Sequence, residues 1–106
     1  MKGTKAKKED FQKIITDNIN NIIQINNKYK QRGYELYLKG NFLEIIYIGI
    51  KYQIKIVKHK DGFYWHLKPY KNSFFETKVD NSINTLDMVL FAINDNETIH
   101  RKENKK

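Results

Sequence analysis

From Phe11 the apolar residues fall at Phe11, Ile14, Ile15, Ile19, Ile22, Ile23 and Tyr29, with Asn, Asp, Lys and Gln between them. Steps of three and four are helical spacing, and they predict a helix over about residues 9–30 with Gly33 as a stop just beyond it. At Tyr34 the period changes to two: Tyr34, Leu36 and Leu38 alternate with Glu35, Tyr37 and Lys39, and Gly40-Asn41 then offers a turn. Residues 42–58 are β-prone throughout, and Gly49 is their one strong turn signal. An unbroken strand of that length would span about 56 Å at ~3.3 Å per residue, too long for a domain of this size. Gly49 therefore marks a tight turn or a bulge. Which of the two it is leaves the register open, since a slip of one residue exchanges the faces of a strand.

Beyond Gly49, Tyr52, Ile54 and Ile56 alternate with Lys51, Gln53 and Lys55, the pattern of a half-buried strand. Asp61-Gly62 is the clearest hairpin turn, joining this strand to another at Phe63–Lys68, after which Pro69 withdraws an N–H from the ladder. Phe75, Thr77 and Val79 alternate in a further short strand at 73–79. Asp80 or Ser82 can cap a second helix whose apolar face is Ile83, Leu86, Leu90 and Ile93, widened by Met88, Phe91 and Ala92, and which ends near Asn94. The expected fold is α+β: an N-terminal helix, a four- or five-stranded antiparallel meander sheet and a C-terminal helix, with both helices on one face of the sheet and the other face open. A chain of 106 residues holds one domain. It is placed at residues 9–94, between a basic flexible arm (1–8) and a flexible polar tail (95–106).

Composition removes several chemistries. Apolar residues make up 40% and aromatics 13%, above the range of disordered chains. There is no cysteine, so disulfides, thiolate zinc sites and cysteine nucleophiles are excluded. The basic start MKGTKAKK leads into Glu9, Asp10, Lys13 and Asp17 rather than the apolar stretch of a secretory signal. The longest apolar run, near Leu43 to Ile50, contains Glu44 and is far short of membrane-spanning length. A soluble cytoplasmic protein with no membrane partner is expected. The glycines at 3, 33, 40, 49 and 62 form no phosphate loop, and neither an H-E-x-x-H nor an EF-hand pattern occurs. No cofactor and no metal site are expected.

The net charge of +8 is carried mostly by lysine, 18 of the 20 basic residues, which AT-rich coding would favour in any case. Its distribution says more. Residues 28–78 hold 11 Lys and Arg against four acids, whereas the helical segments 9–27 and 79–94 are both net negative. The β-rich middle is basic and the helices are not.

If Tyr52, Ile54, Ile56, Phe63, Trp65 and Leu67 face the helices, the open face presents Lys51, Gln53, Lys55, His59, Tyr64, His66 and Lys68, with Tyr37 and Lys39 from the first strand. Aromatic rings among lysines on an open sheet suit nucleic acid, whose bases stack on rings while ammonium groups hold phosphates. Lys39, Lys51, Lys55, Tyr64, His66 and Lys68 are the expected nucleic-acid contacts. The competing reading is that lysine and tyrosine simply fill solvent-facing strand positions. His59 and His66 flank the Asp61-Gly62 turn on the same face. A metal-independent ribonuclease needs a general base, a general acid and a cation for the phosphate, which His59 or His66, with Tyr64, Lys55 and Lys68 nearby, can supply. Two exposed hairpin histidines are the plainer alternative.

The segment YQIKIVKHKDGFYWHL, followed by a strand and a helix, resembles the hairpin-plus-helix of small β-β-α modules, including the arm-type DNA-binding domains of integrases. The order of a helix followed by antiparallel strands resembles small basic ribonuclease toxins of the RelE-like kind. Both resemblances cover topology and the Asp-Gly turn only, and neither carries functional residues over. Three functions stand open: a non-enzymatic binder of single-stranded or structured DNA or RNA, a small protein-interaction or inhibitor module of a phage or mobile element, and a small metal-independent ribonuclease toxin.

Overall fold

The structure, a computed structural model, describes residues 3–104, with side chains up to Asn96. Residues 1–2 of the expected arm and 105–106 of the expected tail lie outside the described residues. The elements are β1 (Thr4–Lys5), α1 (Lys8–Asp17), α2 (Ile19–Lys30), β2 (Tyr34–Leu38), β3 (Leu43–Tyr47), β4 (Ile50–His59), β5 (Gly62–Tyr70), β6 (Ser73–Lys78) and α3 (Ile83–Asn104). Strands β2 to β6 form an antiparallel meander in chain order, and β1 pairs with β4 beside it. The fold is the α+β arrangement that the change of period predicts, with a short sixth strand added.

The register follows the apolar alternation. Ile54 lies between Leu43 and Leu67, Tyr52 opposite Ile45, and Ile56 opposite Trp65. All seven of these side chains are at most 1% exposed. They face Phe11, Ile14, Ile15, Ile22, Ile25 and Tyr29 from α1 and α2, and Leu86, Val89, Leu90 and Ile93 from α3. Burying an apolar stripe from each helix against one sheet face holds the domain together. It leaves the alternate strand residues pointing the other way.

Four features differ from the sequence expectation. The helix expected over 9–30 is interrupted at Asn18, where φ is −109° and ψ is 11°. Asn18 is buried, and its side-chain amide donates to Ile14 O at 2.9 Å and to Asn81 Oδ1 at 2.8 Å. A short amide that bonds nearby carbonyls competes with the helical ladder, which explains the break. At about 100° per residue the buried stripe runs through Asn18, Ile22, Ile25 and Tyr29 and passes beside Ile19 and Ile23. Those two are accordingly 41% and 50% exposed.

Gly49 marks a tight turn. Tyr47 pairs with Ile50, and Ile48-Gly49 form a two-residue connection with φ of 50° and 75°. Positive φ at both central residues is the hairpin geometry that matches strand twist. At the other side of the sheet β5 runs on through Pro69 to Tyr70, with a register shift against β6 between Leu67 and Tyr70 where the N–H is missing.

The final helix does not stop near Asn94 but continues to Asn104. No Gly or Pro lies between residues 95 and 106 to end it. Asp95 and Asn96 also tie it to the sheet: Tyr70 Oη donates to Asp95 at 3.1 Å, Asn96 Nδ2 donates to Tyr52 Oη at 3.1 Å, and Asn96 Oδ1 accepts from Lys71 N. The helix start is capped from both expected residues, with Ser82 Oγ accepting from Asn84 N and Asp80 accepting from Ser82 N and from Thr85 Oγ1. The basic arm is pinned, since Thr4 and Lys5 pair with Lys58 and Val57 and Ala6 N donates to Ile56 O. Among the described residues no helix is long and apolar enough to cross a membrane.

Candidate nucleic-acid interface

With Tyr52, Ile54, Ile56, Trp65 and Leu67 turned to the helices, the pleat sends Lys51, Gln53, Lys55, Tyr64, His66 and Lys68 to the outer face. Lys55 sits opposite His66, Gln53 opposite both Lys68 and Glu44, and Tyr37 opposite Glu44. The structure thus brings the sequence-derived candidates onto one surface. Lys51, Lys55 and Lys68 surround a shallow depression of about 400 Å³ together with Gln53, Glu44, His66 and Pro69. Among the described residues none of these three lysines makes an ion pair. Lys39 differs: it stands just past β2, 3.8 Å from Glu44 and 5.5 Å from the Tyr37 ring centre, so it neutralises the one acid of the depression's rim.

Tyr64 also reaches the outer face, but its groups are engaged. Its hydroxyl donates to Asp61 at 2.7 Å, and its ring meets His59 edge-on at 4.7 Å. The hydrogen bond to the Asp61 carboxylate pushes the Tyr64 phenol above its usual range and holds Asp61 below its own.

The two histidines are joined through a residue that the sequence reading did not single out. Glu76 on β6 binds His59 Nε2 with Oε1 at 2.8 Å and His66 Nδ1 with Oε2 at 2.6 Å. All three side chains are largely buried, at 23%, 19% and 17% exposure for His59, His66 and Glu76. One carboxylate therefore clasps β4, β5 and β6 together. His59 is further covered by the arm, since a Cβ at Gly3 would lie 2.8 Å from its ring atoms Cε1 and Nε2. A general acid–base pair needs ring nitrogens aimed at a substrate; here one nitrogen of each ring is committed to the same carboxylate. No cluster of three or more His, Asp or Glu among the described residues is placed to hold a metal ion.

The sequence groups Phe74 with Tyr70 and Phe75 near the Pro69 loop, as ordinary core or else an apolar patch for another protein, but the structure turns Phe74 outward beside this clasp. Phe74 stacks on His66, with ring centres 4.6 Å apart and planes at 23°, and is 48% exposed. Its neighbour Phe75 faces inward, opposite Leu67. The signal for the outward placement of Phe74 and Glu76 was present in the alternation of Phe75, Thr77 and Val79, which puts both on the other face.

The sequence matches no protein-family model, and no curated protein or solved structure shows significant similarity to it.

Proposed function

We propose that this protein binds nucleic acid on the outer face of its sheet and performs no chemistry on it. The observation that carries this reading is the convergence of Lys51, Lys55 and Lys68, free of ion pairs among the described residues, on one depression of an uncovered sheet face. Three ammonium groups without local acidic partners repel one another, and phosphate oxygens relieve that repulsion while releasing condensed counterions. Gln53 and His66 add hydrogen-bonding groups in the same place. The three glutamates on this face each have a partner: Glu35 accepts from the Tyr37 hydroxyl, Glu44 pairs with Lys39 and Glu76 with two histidines.

A protein-interaction role is the second reading, favoured by Met88 and Phe91. They are 53% and 68% exposed, three residues apart on α3, on the side of the molecule away from the lysines. Apolar side chains exposed in this way are an ordinary feature of protein contacts.

Fluorescence anisotropy with labelled DNA and RNA oligonucleotides at two salt concentrations separates the readings. Submicromolar binding that weakens with salt is expected. The triple variant Lys51→Glu, Lys55→Glu, Lys68→Glu, folded by circular dichroism, should lose it. Replacing the three lysines by Gln should reduce the slope of log K against log salt by about 2, at roughly 0.7 per single-strand phosphate. Absence of binding at low salt, or binding unchanged in the triple variant, refutes the proposal.

A further inference from the structure

We infer that the nucleic acid taken by this face is a single strand, anchored by an unpaired base stacked on Phe74 while the adjoining phosphates lie among Lys55, Lys68 and Lys51. This rests on the nucleic-acid reading above and specifies its ligand.

Phe74 is the aromatic ring of the outer face most suited to receive a base. One side lies against His66, so its 48% exposure belongs to the opposite side and the ring edges. The ring is also held in place. Glu76 fixes His66 through Nδ1 at 2.6 Å, and His66 supports Phe74. A platform whose orientation is set in advance loses little side-chain freedom when a ligand arrives. The other outer rings are less suited. Tyr64 is engaged by Asp61 and His59. Tyr37 bonds Glu35 at 2.6 Å, lies opposite Glu44, and has the Lys39 ammonium over its ring.

The charges stand at the right distance from this ring. His66 is directly opposite Lys55, and Lys68 is two residues along β5 on the same face. Phe74 on β6 is two strand spacings, about 10 Å, from the lysines of β4. The phosphates beside a base stacked on Phe74 would extend toward these lysines, whose four-carbon stems are flexible. Glu76, two residues along β6 from the platform, has both oxygens bound by the histidines, which fixes the carboxylate between the strands.

Duplex nucleic acid presents phosphates to the lysines but hides its base faces in the stack, whereas a single strand offers both. Phe74 therefore discriminates between them, and the lysines do not.

The test uses the full chain and four probes by anisotropy and competition: a labelled ten-nucleotide single strand, its duplex, an abasic strand with the same number of phosphates, and a free mononucleotide. The wild type should bind the single strand about tenfold or more tighter than the duplex or the abasic strand, as expected when one stacked base is lost. Phe74→Leu should bring the three oligonucleotides to similar affinity without changing their salt dependence, and Phe74→Trp should keep the preference. Millimolar mononucleotide should not displace the strand. Equal binding of all three by the wild type, or an unaltered preference in Phe74→Leu, overturns the single-strand inference and leaves phosphate binding standing. Displacement by mononucleotide at the strand's own concentration overturns it in favour of a free nucleotide. No binding of any probe at low salt overturns both this inference and the nucleic-acid reading.

Discussion

Replacing Tyr29 by Phe perturbs the joint between α2 and α3 at one atom. Tyr29 is 5% exposed, and its hydroxyl donates to Asp87 Oδ1 at 2.5 Å, while Lys28 pairs with the same carboxylate at 3.1 Å. The phenyl ring retains the edge contact with Tyr34 at 5.1 Å, so the substitution removes the hydrogen bond and little packing. A bond to a charged acceptor contributes roughly 1.5–3 kcal/mol, and the part-exposed carboxylate of Asp87 places this one near the lower end, about 1.5 kcal/mol. The loss depends on pH in a defined way. Burial first, and then the Asp87 bond, push the Tyr29 phenol up to about 12. A folded-state value raised above that of the unfolded chain gives stability that is fully present below about pH 10 and is lost as pH rises toward 12. By pH 11 the wild type should have lost on the order of 1 kcal/mol that the variant, lacking the phenol, keeps. On the acid side, the Tyr29 hydroxyl chiefly holds the Asp87 carboxyl below its usual range. That part of the wild-type advantage is present above the unfolded carboxyl value and disappears as pH falls through the depressed one. Urea unfolding of both proteins from pH 3 to pH 11 should give a plateau of difference between about pH 5 and 9, falling on both sides. A difference of the same size at pH 7 and pH 11 would refute the assignment of the hydroxyl to this bond.

Three other predictions test particular elements. Truncation after Asn94 should cost about 2–3 kcal/mol in urea unfolding, because Asn96 bonds Tyr52 Oη and Lys71 N, and Asp95 bonds Tyr70. A truncated chain as stable as the whole would show that these bonds contribute nothing. Gly49→Ala should lower stability by about 1–2 kcal/mol, since φ there is 75° and an added Cβ is strained whatever the space around it; an unchanged melting temperature would contradict the turn. Incubation of structured RNA with the wild type in EDTA should leave it intact, as the Glu76 clasp on His59 and His66 implies, and EDTA-resistant cleavage abolished by His66→Ala would reinstate the ribonuclease reading.

The change from steps of three and four to steps of two at Tyr34 makes the helix and the following strands legible, because each element buries one face and the period records which. The Asp61-Gly62 hairpin is legible for the same reason joined to turn chemistry. What was not legible depends on partners distant in the chain. Asn18 reads as one polar residue in an apolar stripe, and its burial is accommodated in part by a bond to Asn81, 63 residues away. The end of α3 has no local stop signal, and the apolar pattern fades before the helix does, because its last described side-chain contacts are polar. Glu76 could be placed on the outer face from alternation alone, but its register against His66 depends on the irregular β5–β6 connection around Pro69.

The same distinction governs how the positive charge should be read. Counting residues makes the whole segment 28–78 basic, yet its lysines are not equivalent. Lys28 is held by Asp87, Lys39 by Glu44 and Lys78 by Asp61, at 3.1, 3.8 and 3.7 Å. Lys58 belongs to the inward-facing series of β4 and lies over Phe63 at 5.8 Å. A charge paired in the free protein must give up that partner before it can serve a phosphate, which weakens its net contribution to binding. Lys30, Arg32, Lys60 and Lys71 lack an ion pair among the described residues but lie in α2 or in turns; on the outward strand positions the unpaired lysines are Lys51, Lys55 and Lys68. Glu76, the acid closest to their path on β6, is turned into a support for His66 and hence for Phe74. Local pairing, rather than the total of +8, therefore leaves unpaired lysines on the face that carries an exposed, supported ring.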